Sequence, residues 1–547
     1  MKHFKEYLFL GIGSLLLGGT LFLSYSATAQ TKTFTIEEAV LGGGGKLIPK
    51  NPDQLQWVAG TSNYSQVIEN VITIIDAKSG NIVSRVPKNE IDRSLKNAYS
   101  SDDTLKRFPK IAWLSATQFK FMANNKIYAY SLSDKSTKML AKYNASLMEN
   151  ADIEPVSHKV AYTQGNNLFI DDQQITNDTK AGIVNGQAVH RNEFGILKGT
   201  FWSNNGEKLA FYHLDESMVA EYPIYQLNNR PANSRNIRYP IAGTPSHHAT
   251  IGVYNTITKS TIYLNTGTPA EQYLTNITWS PDGNSIYVAV VNRAQNHLWL
   301  NQYNAENGAY MKTLFEETND KYVEPEHGPI FVKNDPAKFI WWSERDTFNH
   351  LYLYDISGKL LKQLTKGKWV VTDVHGFDKS GLNLFYTSTV KGATQRHLQS
   401  VNIKTGKTTL LTGNREGTHT ITLSPDGDCY LDNFQNLTTP REVSVVFVNS
   451  KKETSIFKAN NPLTEYQLGE IELGVLKAND GTPLHYRLIK PINFNADKKY
   501  PVIVYLYNGP HLQLVNNTWL GGGKSLDAIY GSKRFCCFFY RRQRFLK

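Results

Sequence analysis

The sequence predicts a mostly β protein, a β-propeller followed by the incomplete start of an α/β domain. Between residues 55 and 450, short runs of β-branched and aromatic residues alternate with tight polar turns, and no long helical periodicity interrupts them. Beyond residue 450 this pattern ends. In residues 451–531, a nearly continuous apolar strand at 500–507 runs into a Gly-Pro turn. Such a strand is typical of a sheet that helices cover on both faces.

Two families of turns recur through the propeller region. In both, an Asp, Asn or Ser side chain can bond to the backbone of the turn, and a glycine accepts a positive φ, so each turn closes a hairpin. Recurrence at such intervals predicts propeller blades, although the repeats alone do not fix their number. The first family begins at Trp202, Trp279, Phe377 and Leu423, and the second at Asp76, Asn304, Asp355 and Asn402.

Residues 1–29 have the pattern of a secretory signal peptide. A short basic start precedes an apolar run from Tyr7 to Leu23, and Ala27-Thr28-Ala29 provides a small-residue cleavage site. The alternative is an uncleaved N-terminal membrane anchor, for which the apolar run is short and rich in glycine. We therefore expect export to the periplasm or the extracellular space. With three cysteines in 547 residues, the chain is not a disulfide scaffold.

Residues 30–54 are predicted to form a short helix and a glycine-rich connector. Thr35 and Glu38 have the spacing of a capping box at the start of the helix. The following Gly42-Gly43-Gly44-Gly45-Lys46 has some likeness to a phosphate-binding loop. Leu47, however, stands where that loop needs Ser or Thr, and a helix rather than a strand precedes the glycines.

Charge and histidine spacing argue against nucleic acid and metal. Of the net charge of +11, the tail after Gly531 supplies six and the first six residues supply one, so no basic nucleic-acid surface is indicated. The pair His247-His248 is a weak metal candidate because neighbours in an extended chain point in opposite directions and no Cys or carboxylate accompanies them. We expect neither a metal nor another cofactor.

A candidate binding segment lies in the propeller region at residues 189–196. It reads Val-His-Arg-Asn-Glu-Phe-Gly-Ile, lacks the alternation of a strand, and places one carboxylate, Glu193, between basic and apolar neighbours. From these residues alone, we expect Glu193 to be a solvated loop residue, as such carboxylates usually are.

Several stretches together resemble the dipeptidyl peptidase IV family of prolyl oligopeptidase-type serine peptidases. The resemblance covers nearly all of residues 30–531, and its motifs are specific in combination rather than singly. The stretches that carry it are 190–196, the Trp-Ser turn at 202–206, Asp-Glu-Ser-Met-Val at 215–219, 239–248, 291–296, 343–350 and the strand with its Gly-Pro turn at 500–510.

The resemblance implies an eight-bladed propeller, an α/β-hydrolase domain, and a peptide substrate with a free N-terminus. It implies that Glu193 binds the substrate's ammonium group through a charge-assisted hydrogen bond. It also implies that Tyr507 donates its hydroxyl to the oxyanion of the tetrahedral intermediate. Without the family, Tyr507 is equally well an aromatic residue at a strand end. A full-length relative of this kind is a possible homodimer.

The anchoring position bears on specificity. Dipeptidyl members carry a Glu-Glu pair there, whereas this chain has Asn192-Glu193. A single carboxylate resembles the bacterial prolyl tripeptidyl aminopeptidase branch. The implied function is a serine exopeptidase that releases N-terminal peptides after proline.

The catalytic triad of such an enzyme is not found. An α/β-hydrolase places its serine in Gly-x-Ser-x-Gly, which occurs nowhere in the 547 residues. Residues 532–547 combine two cysteines with six positive charges and no acid. We interpret this aberrant basic tail as a reading-frame slip or premature end. The alternative is a genuine tail that binds a membrane or an anionic partner.

This chain is accordingly expected to be inactive. Alternative functions are a non-catalytic propeller that binds peptides or partners, and a gene fragment without function.

Overall fold

The computed structural model describes residues 32–99, 105–507, 512–523, 525–532 and 536–541. The predicted signal peptide lies outside these residues, as do the Gly-Pro turn after Tyr507 and the last six residues of the basic tail. Among the described residues, no helix has the length and apolar character needed to cross a membrane.

The N-terminal segment is a capped helix that leads into a glycine turn, as predicted. Helix α1 spans Ile36–Leu41. The Thr35 hydroxyl accepts the Glu38 backbone N–H at 3.1 Å, and the Glu38 carboxylate accepts the Thr35 N–H at 3.0 Å. A 3-10 turn, Gly42–Gly45, follows. Phe34 stacks on Tyr466 with ring centroids 4.5 Å apart, so this segment docks on the C-terminal part of the chain.

Within the described residues, eight antiparallel sheets follow one another between Asp53 and Lys458, and we name them sheet 1 to sheet 8. Helix α2, Lys88–Tyr99, connects sheets 1 and 2. The first three sheets pair their strands in chain order. They consist of β1 (Asp53–Trp57), β2 (Asn63–Ile68), β3 (Val71–Asp76) and β4 (Ile82–Pro87); β5 (Ile111–Trp113), β6 (Gln118–Ala123), β7 (Lys126–Ser131) and β8 (Ser136–Lys142); and β9 (Glu149–Ile153), β10 (Val160–Gln164), β11 (Asn167–Ile170) and β12 (Gln173–Gln174).

Sheet 4 differs because two of its segments leave the simple order. Both β13 and β14 pair with β15, and the hairpin β16–β17 leaves the sheet before β18 returns to it. We call this hairpin the arm. The strands are β13 (Ile183–Asn185), β14 (Thr200–Trp202), β15 (Lys208–Asp215), β16 (Glu221–Gln226), β17 (Asn233–Arg238), β18 (His248–Asn255) and β19 (Ser260–Tyr263).

Sheets 5 to 8 return to four strands in chain order. Sheets 5 and 6 consist of β20 (Gln272–Trp279), β21 (Ser285–Asn292), β22 (His297–Asn304) and β23 (Tyr310–Thr318), and of β24 (Ile330–Val332), β25 (Asp335–Ser343), β26 (His350–Asp355) and β27 (Leu360–Gln363). Sheets 7 and 8 consist of β28 (Val371–Phe377), β29 (Asn383–Ser388), β30 (His397–Asn402) and β31 (Thr408–Leu410), and of β32 (Thr418–Leu423), β33 (Cys429–Gln435), β34 (Glu442–Phe447) and β35 (Glu453–Lys458).

The two turn families close hairpins within these sheets, as predicted. In the first family, the glycine N–H donates to the carbonyl of the residue three positions earlier, for example from Gly206 to Ser203 at 2.9 Å and from Gly381 to Asp378 at 3.1 Å. In the second, it returns to the Asp or Asn that opens the turn, as from Gly80 to Asp76 at 2.8 Å. Gly206 and Gly80 have φ of +69° and +74°, which is why glycine occupies these positions.

Buried apolar clusters join each sheet to the next. Tyr212 of sheet 4 and Ile286 of sheet 5 belong to one such cluster. Trp57 of sheet 1 and Cys429 of sheet 8 share another, and the Trp57 indole N–H donates to the Thr422 carbonyl at 2.8 Å. The first sheet therefore packs on the last. The arrangement of many small antiparallel sheets is propeller-like and mostly β, as the sequence predicts.

The C-terminal sheet has the order β36–β37–β39–β38. Strands β36 and β37 form the predicted hairpin, and β39 lies between β37, to which it is antiparallel, and β38, to which it is parallel. Helix α3 and a 3-10 turn precede β39. The bounds are β36 (Ile471–Lys477), β37 (Pro483–Ile489), β38 (Val502–Leu506), the 3-10 turn Trp519–Gly522, α3 (Ser525–Ser532) and β39 (Cys536–Arg541).

Two features of this sheet concern residues that the sequence singles out. Part of the tail that the sequence marks as aberrant forms β39, where Cys537 lies beside both Ile489 and Ile503. Residues Cys536–Tyr540 are mostly apolar, as is typical of a strand that lies between two other strands of a sheet. The apolar strand predicted at residues 500–507 is formed by Val502–Leu506, and most of its side chains face solvent, with Val504 55% exposed. Among the described residues, strand pairing protects β38 along one edge alone.

Candidate functional site

The candidate site is the loop between β13 and β14 of sheet 4, residues 189–196, called here the anchor loop. Its first part, His190–Asn192, is a 3-10 turn of left-handed residues with φ between 52° and 64°, and Phe194 has φ 56°. Each such non-glycine residue costs about 1–2 kcal/mol relative to ordinary backbone. Glu193 interrupts the run with φ −66° and ψ 164°. The surrounding structure must supply the energy that keeps this backbone in place.

The end of the anchor loop is fixed by packing. The buried Phe194 ring lies 5.1 Å from the Tyr273 ring of sheet 5. Gly195 has φ +69°, and a Cβ there would lie 2.3 Å from the carbonyl oxygen of Glu326. The Asn192 side-chain amide donates to the Ile196 carbonyl at 3.1 Å. These contacts press the loop against the connection between sheets 5 and 6.

The start of the loop is fixed by a pair of buried histidines. His190 Nδ1 lies 2.7 Å from His247 Nε2, and the Leu274 N–H donates to His190 Nε2 at 3.1 Å. The His190 ring also meets the Tyr273 ring edge-on at 5.0 Å. Burial lowers the pKa of His190 well below 6.5, and burial together with nearby Arg191 and Arg293 lowers the pKa of His247 to about 4. Both imidazoles are therefore neutral near pH 7.

Between these two anchors, the backbone of Glu193 is fixed and its side chain is available. Its N–H donates to the His190 carbonyl at 3.1 Å, and its own carbonyl accepts the Ile196 N–H at 3.1 Å. The side chain is exposed, and within the described residues its carboxylate has no hydrogen-bond or ion-pair partner. A fixed carboxylate of this kind can accept hydrogen bonds from an ammonium ion.

The charges around the loop are mixed. The Arg191 guanidinium lies over the Tyr239 ring, 5.2 Å from its centroid. Burial raises the pKa of the half-buried Glu216, and Arg191 and Arg238 act against that rise. Arg293 Nε lies 4.0 Å from a carboxylate oxygen of Glu271. A cationic ligand that binds to Glu193 would therefore lie near the positively charged side chains of Arg191 and Arg293.

Tyr507, the second predicted site residue, lies directly after β38 and is 48% exposed. The turn that follows it lies outside the described residues, so its predicted oxyanion geometry is not described. No hydrogen bond links Tyr507 with Glu193 in the part of the chain that the structure covers. Glu193 lies on a loop of sheet 4, whereas Tyr507 follows a strand of the C-terminal sheet.

Comparison with known proteins decides the family. Residues 106–441, more than half of the chain, match the model of the dipeptidyl peptidase IV N-terminal region. This chain belongs to the dipeptidyl peptidase IV family. The match covers the anchor loop and ends before the C-terminal sheet, so the predicted family relationship is confirmed by residues that include Glu193.

Relatives in the dipeptidyl peptidase IV family extend the match toward both ends. A dipeptidyl peptidase 4 of Trichophyton tonsurans is 25% identical over 489 residues, which are 85% of this chain and 62% of that protein. A crystal structure of a candidate dipeptidyl aminopeptidase IV from Bacteroides ovatus is 37% identical with a TM-score of 0.88, covering 94% of this chain and 76% of that one. Porphyromonas gingivalis dipeptidyl peptidase 4 shares the fold at 22% identity, with a TM-score of 0.78 and coverage of 94% and 74%. The chain thus spans about 62% of the length of the curated relatives.

A cavity of about 570 Å³ lies among sheets 6, 7 and 8 of this family member, and sequence analysis missed it. Its wall includes His375, which bonds the Thr387 hydroxyl at 2.7 Å, and His419, which bonds Asp432 at 2.8 Å. Thr418, also in the wall, donates to the Asn517 carbonyl at 3.1 Å, so the C-terminal segment is bonded to a residue of this wall. Its residues come from separate sheets and form no local motif.

His247 and His248 also separate in the structure. His247 is buried against His190, whereas His248 begins β18 opposite Asp215. Within the described residues, no group of three or more His, Cys, Asp and Glu side chains is arranged to hold a metal ion. His247 thus has a structural partner in the anchor loop, which the sequence spacing did not reveal.

Proposed function

We propose that this chain is the propeller and substrate-anchoring part of a serine exopeptidase of the dipeptidyl and tripeptidyl class. Such an enzyme removes short peptides from the N-terminus of its substrates, after proline. The single observation that carries the proposal is Glu193, an exposed carboxylate without a partner among the described residues, on a loop whose backbone is fixed at both ends. Family membership and relatives named as dipeptidyl peptidases support it.

In the proposed complex, the Glu193 carboxylate accepts hydrogen bonds from the substrate's N-terminal ammonium group and so sets the distance to the scissile bond. Tyr507 is at the position from which a complete enzyme of this class would donate a hydroxyl to the oxyanion on the scissile carbonyl. The attacking serine and its histidine and acid partners are not among the motifs of these 547 residues. We therefore propose that this chain binds peptides and does not hydrolyse them.

The tripeptidyl branch is the specificity that the loop favours. The Asn192 amide donates to the Ile196 carbonyl and so serves the loop itself. That leaves one carboxylate for the substrate's ammonium group.

The same proposal covers architecture and location. We take the eight sheets as eight blades of a propeller, which the cluster shared by Trp57 and Cys429 closes. We also propose that residues 1–29 direct export to the periplasm or beyond.

A homodimer through the arm is a further proposal. Both strands of the arm are exposed along almost their whole length, and apolar residues follow it: Tyr225 is 71% and Leu227 is 79% exposed. An exposed apolar patch of this kind marks an interaction surface. Sedimentation of the wild type and of Tyr225→Asp should show a dimer and a monomer, respectively; two monomers would refute it.

The binding proposal is tested with a peptide that has a free N-terminus, a proline near it, and a dye at its C-terminus. Glu193→Gln should weaken binding about ten- to a hundredfold, because a hydrogen bond to a charged group contributes about 1.5–3 kcal/mol. N-acetylation of the peptide should have the same effect on the wild type. Glu207→Gln, which changes an exposed glutamate of the same sheet, is the matched control. Equal binding by wild type and Glu193→Gln would overturn the proposal.

A further inference from the structure

We propose that His190 and His247 are positioning residues that act through Glu193, as an uncharged hydrogen-bonded pair that fixes the anchor loop. The inference rests on the proposed function, because it concerns how Glu193 is presented to an ammonium group. Neither histidine needs to touch the ligand.

The contacts define where the protons lie. Because His190 Nε2 accepts the Leu274 N–H at 3.1 Å, that nitrogen carries no proton. The proton of neutral His190 is then on Nδ1, which donates to His247 Nε2 at 2.7 Å. His247 in turn carries its proton on Nδ1. One directed chain of hydrogen bonds therefore runs from sheet 5 through the anchor loop to the segment before β18.

The loop needs this chain because its backbone is unfavourable. His190 is the first of the left-handed residues, with φ 52°, and Glu193 follows three positions later. Phe194 and Gly195 hold the far end by packing. Without the histidine pair, the near end would lose the pair's hydrogen bonds and retain the packing of buried Val189, the Arg191 contact with Tyr239 and the ring contact with Tyr273. The Glu193 backbone would then lose its defined bond to the His190 carbonyl.

The pair works only without charge. A proton on His190 Nε2 would displace the Leu274 N–H, and one on His247 Nε2 would face the Nδ1–H of His190. Arg191, Arg293 and His248 lower the pKa of His247, and Glu271 acts against them. These neighbours, together with burial, keep the imidazoles neutral. The neutral pair also leaves Glu193 as the charged partner for an ammonium group.

The test compares variants of the full chain in the same peptide assay. His247→Phe removes the acceptor and should weaken binding of the free-amine peptide at least tenfold, whereas the N-acetylated peptide should bind as weakly as before. His247→Gln keeps an uncharged acceptor for His190 Nδ1–H and should bind within about threefold of the wild type. His248→Gln is the matched control next to it. The rate of amide hydrogen exchange in residues 189–196 should rise in His247→Phe and stay unchanged in His247→Gln.

The outcomes separate this inference from the function on which it rests. If Glu193→Gln binds like the wild type, the proposed function fails. If Glu193→Gln weakens binding and His247→Phe does not, the positioning inference fails. Should His247→Phe not fold, nitrogen NMR of the wild type labelled at histidine decides. The proposal is supported if both rings stay neutral down to pH 5 and His190 carries its proton on Nδ1. A proton on His190 Nε2 would overturn the proposal.

Discussion

Gly195 shows how closely the anchor loop approaches its neighbour. Its φ is +69°, and an added Cβ would lie 2.3 Å from the Glu326 carbonyl oxygen, which belongs to backbone and cannot rotate away. We predict that Gly195→Ala lowers the free energy of unfolding by about 2–3 kcal/mol, because strain in the backbone and steric overlap add. Gly267→Ala shares the positive φ but has open space around it, and should cost about 1 kcal/mol. Urea denaturation of both variants measures the difference; equal losses would show that the contact with Glu326 is not tight.

Buried histidines predict a pH dependence of stability. The pKa of His247 and that of His397 are each lowered from 6.5 to about 4, chiefly by burial. Below pH 6.5 the unfolded chain therefore takes up protons that the folded chain does not, until the pH falls through 4. The free energy of unfolding should accordingly fall as the pH goes from 6.5 to 4.5, by about 2 kcal/mol for each histidine. His247→Gln should reduce this slope in urea denaturation between those pH values. If the free energy of unfolding depends on pH as strongly in His247→Gln as in the wild type, groups other than His247 cause the pH dependence.

At the scale of elements, local chemistry was predictable and distant pairing was not. The capping box of Thr35 and Glu38 and the Trp-Ser turns depend on residues two to five positions apart, and the structure has them as predicted. The contact of His190 with His247 joins residues 57 positions apart, and nothing in the local sequence announces it. The residues that line the cavity among sheets 6 to 8 are likewise far apart in the chain, so the local sequence does not predict it.

Part of the tail whose composition is aberrant forms strand β39. The sequence assigned Cys536–Arg541 to a basic tail because of its arginines and cysteines. The structure places Cys537 among buried apolar residues, since the sheet can use an apolar run whatever follows it. The predicted site residues Glu193 and Tyr507 remain predictions, because exposure alone does not show what they bind.

Arg487 holds the C-terminal elements together. It is 3% exposed and donates to the Gly521 carbonyl at 2.7 Å and to Asp527 of α3 at 3.0 Å, and it lies 4.0 Å from the Phe539 ring centroid in β39. We predict that Arg487→Met costs the C-terminal sheet about 3–5 kcal/mol, the usual cost of breaking a buried ion pair. Lys490→Met, which removes ion pairs to exposed Glu470 and half-buried Glu472, should cost about 1 kcal/mol or less.

Hydrogen exchange of the β37 amides checks this prediction. Exchange should accelerate strongly in Arg487→Met and little in Lys490→Met. Similar protection in both variants would mean that the apolar contacts of Ile489 and Cys537 suffice to hold the sheet.

At the scale of the whole molecule, the eight sheets and the C-terminal sheet bury their apolar residues to different degrees. Sheet 8 packs on sheet 1, so the apolar clusters among the eight sheets follow one another from the first to the last. The segment between β38 and α3 is connected to them by bonds such as that of Asn517 N–H with the Thr394 carbonyl at 2.7 Å. Strand β38 of the C-terminal sheet carries exposed apolar residues, with Val502 at 56% and Val504 at 55%.

This contrast predicts how the chain behaves in solution. An exposed, apolar edge strand can pair with the same strand of another molecule, and β38 has both the apolar side chains and one edge without a partner strand among the described residues. Residues 30–547 should therefore aggregate, whereas a fragment of residues 53–458, which keeps all eight sheets, should be monodisperse. Val504→Lys should raise the soluble yield of the longer chain, because a charge on an edge strand opposes strand pairing. Size-exclusion chromatography with light scattering compares the three proteins. A monodisperse longer chain beside an insoluble 53–458 fragment would show that the sheets depend on the C-terminal residues for their folding.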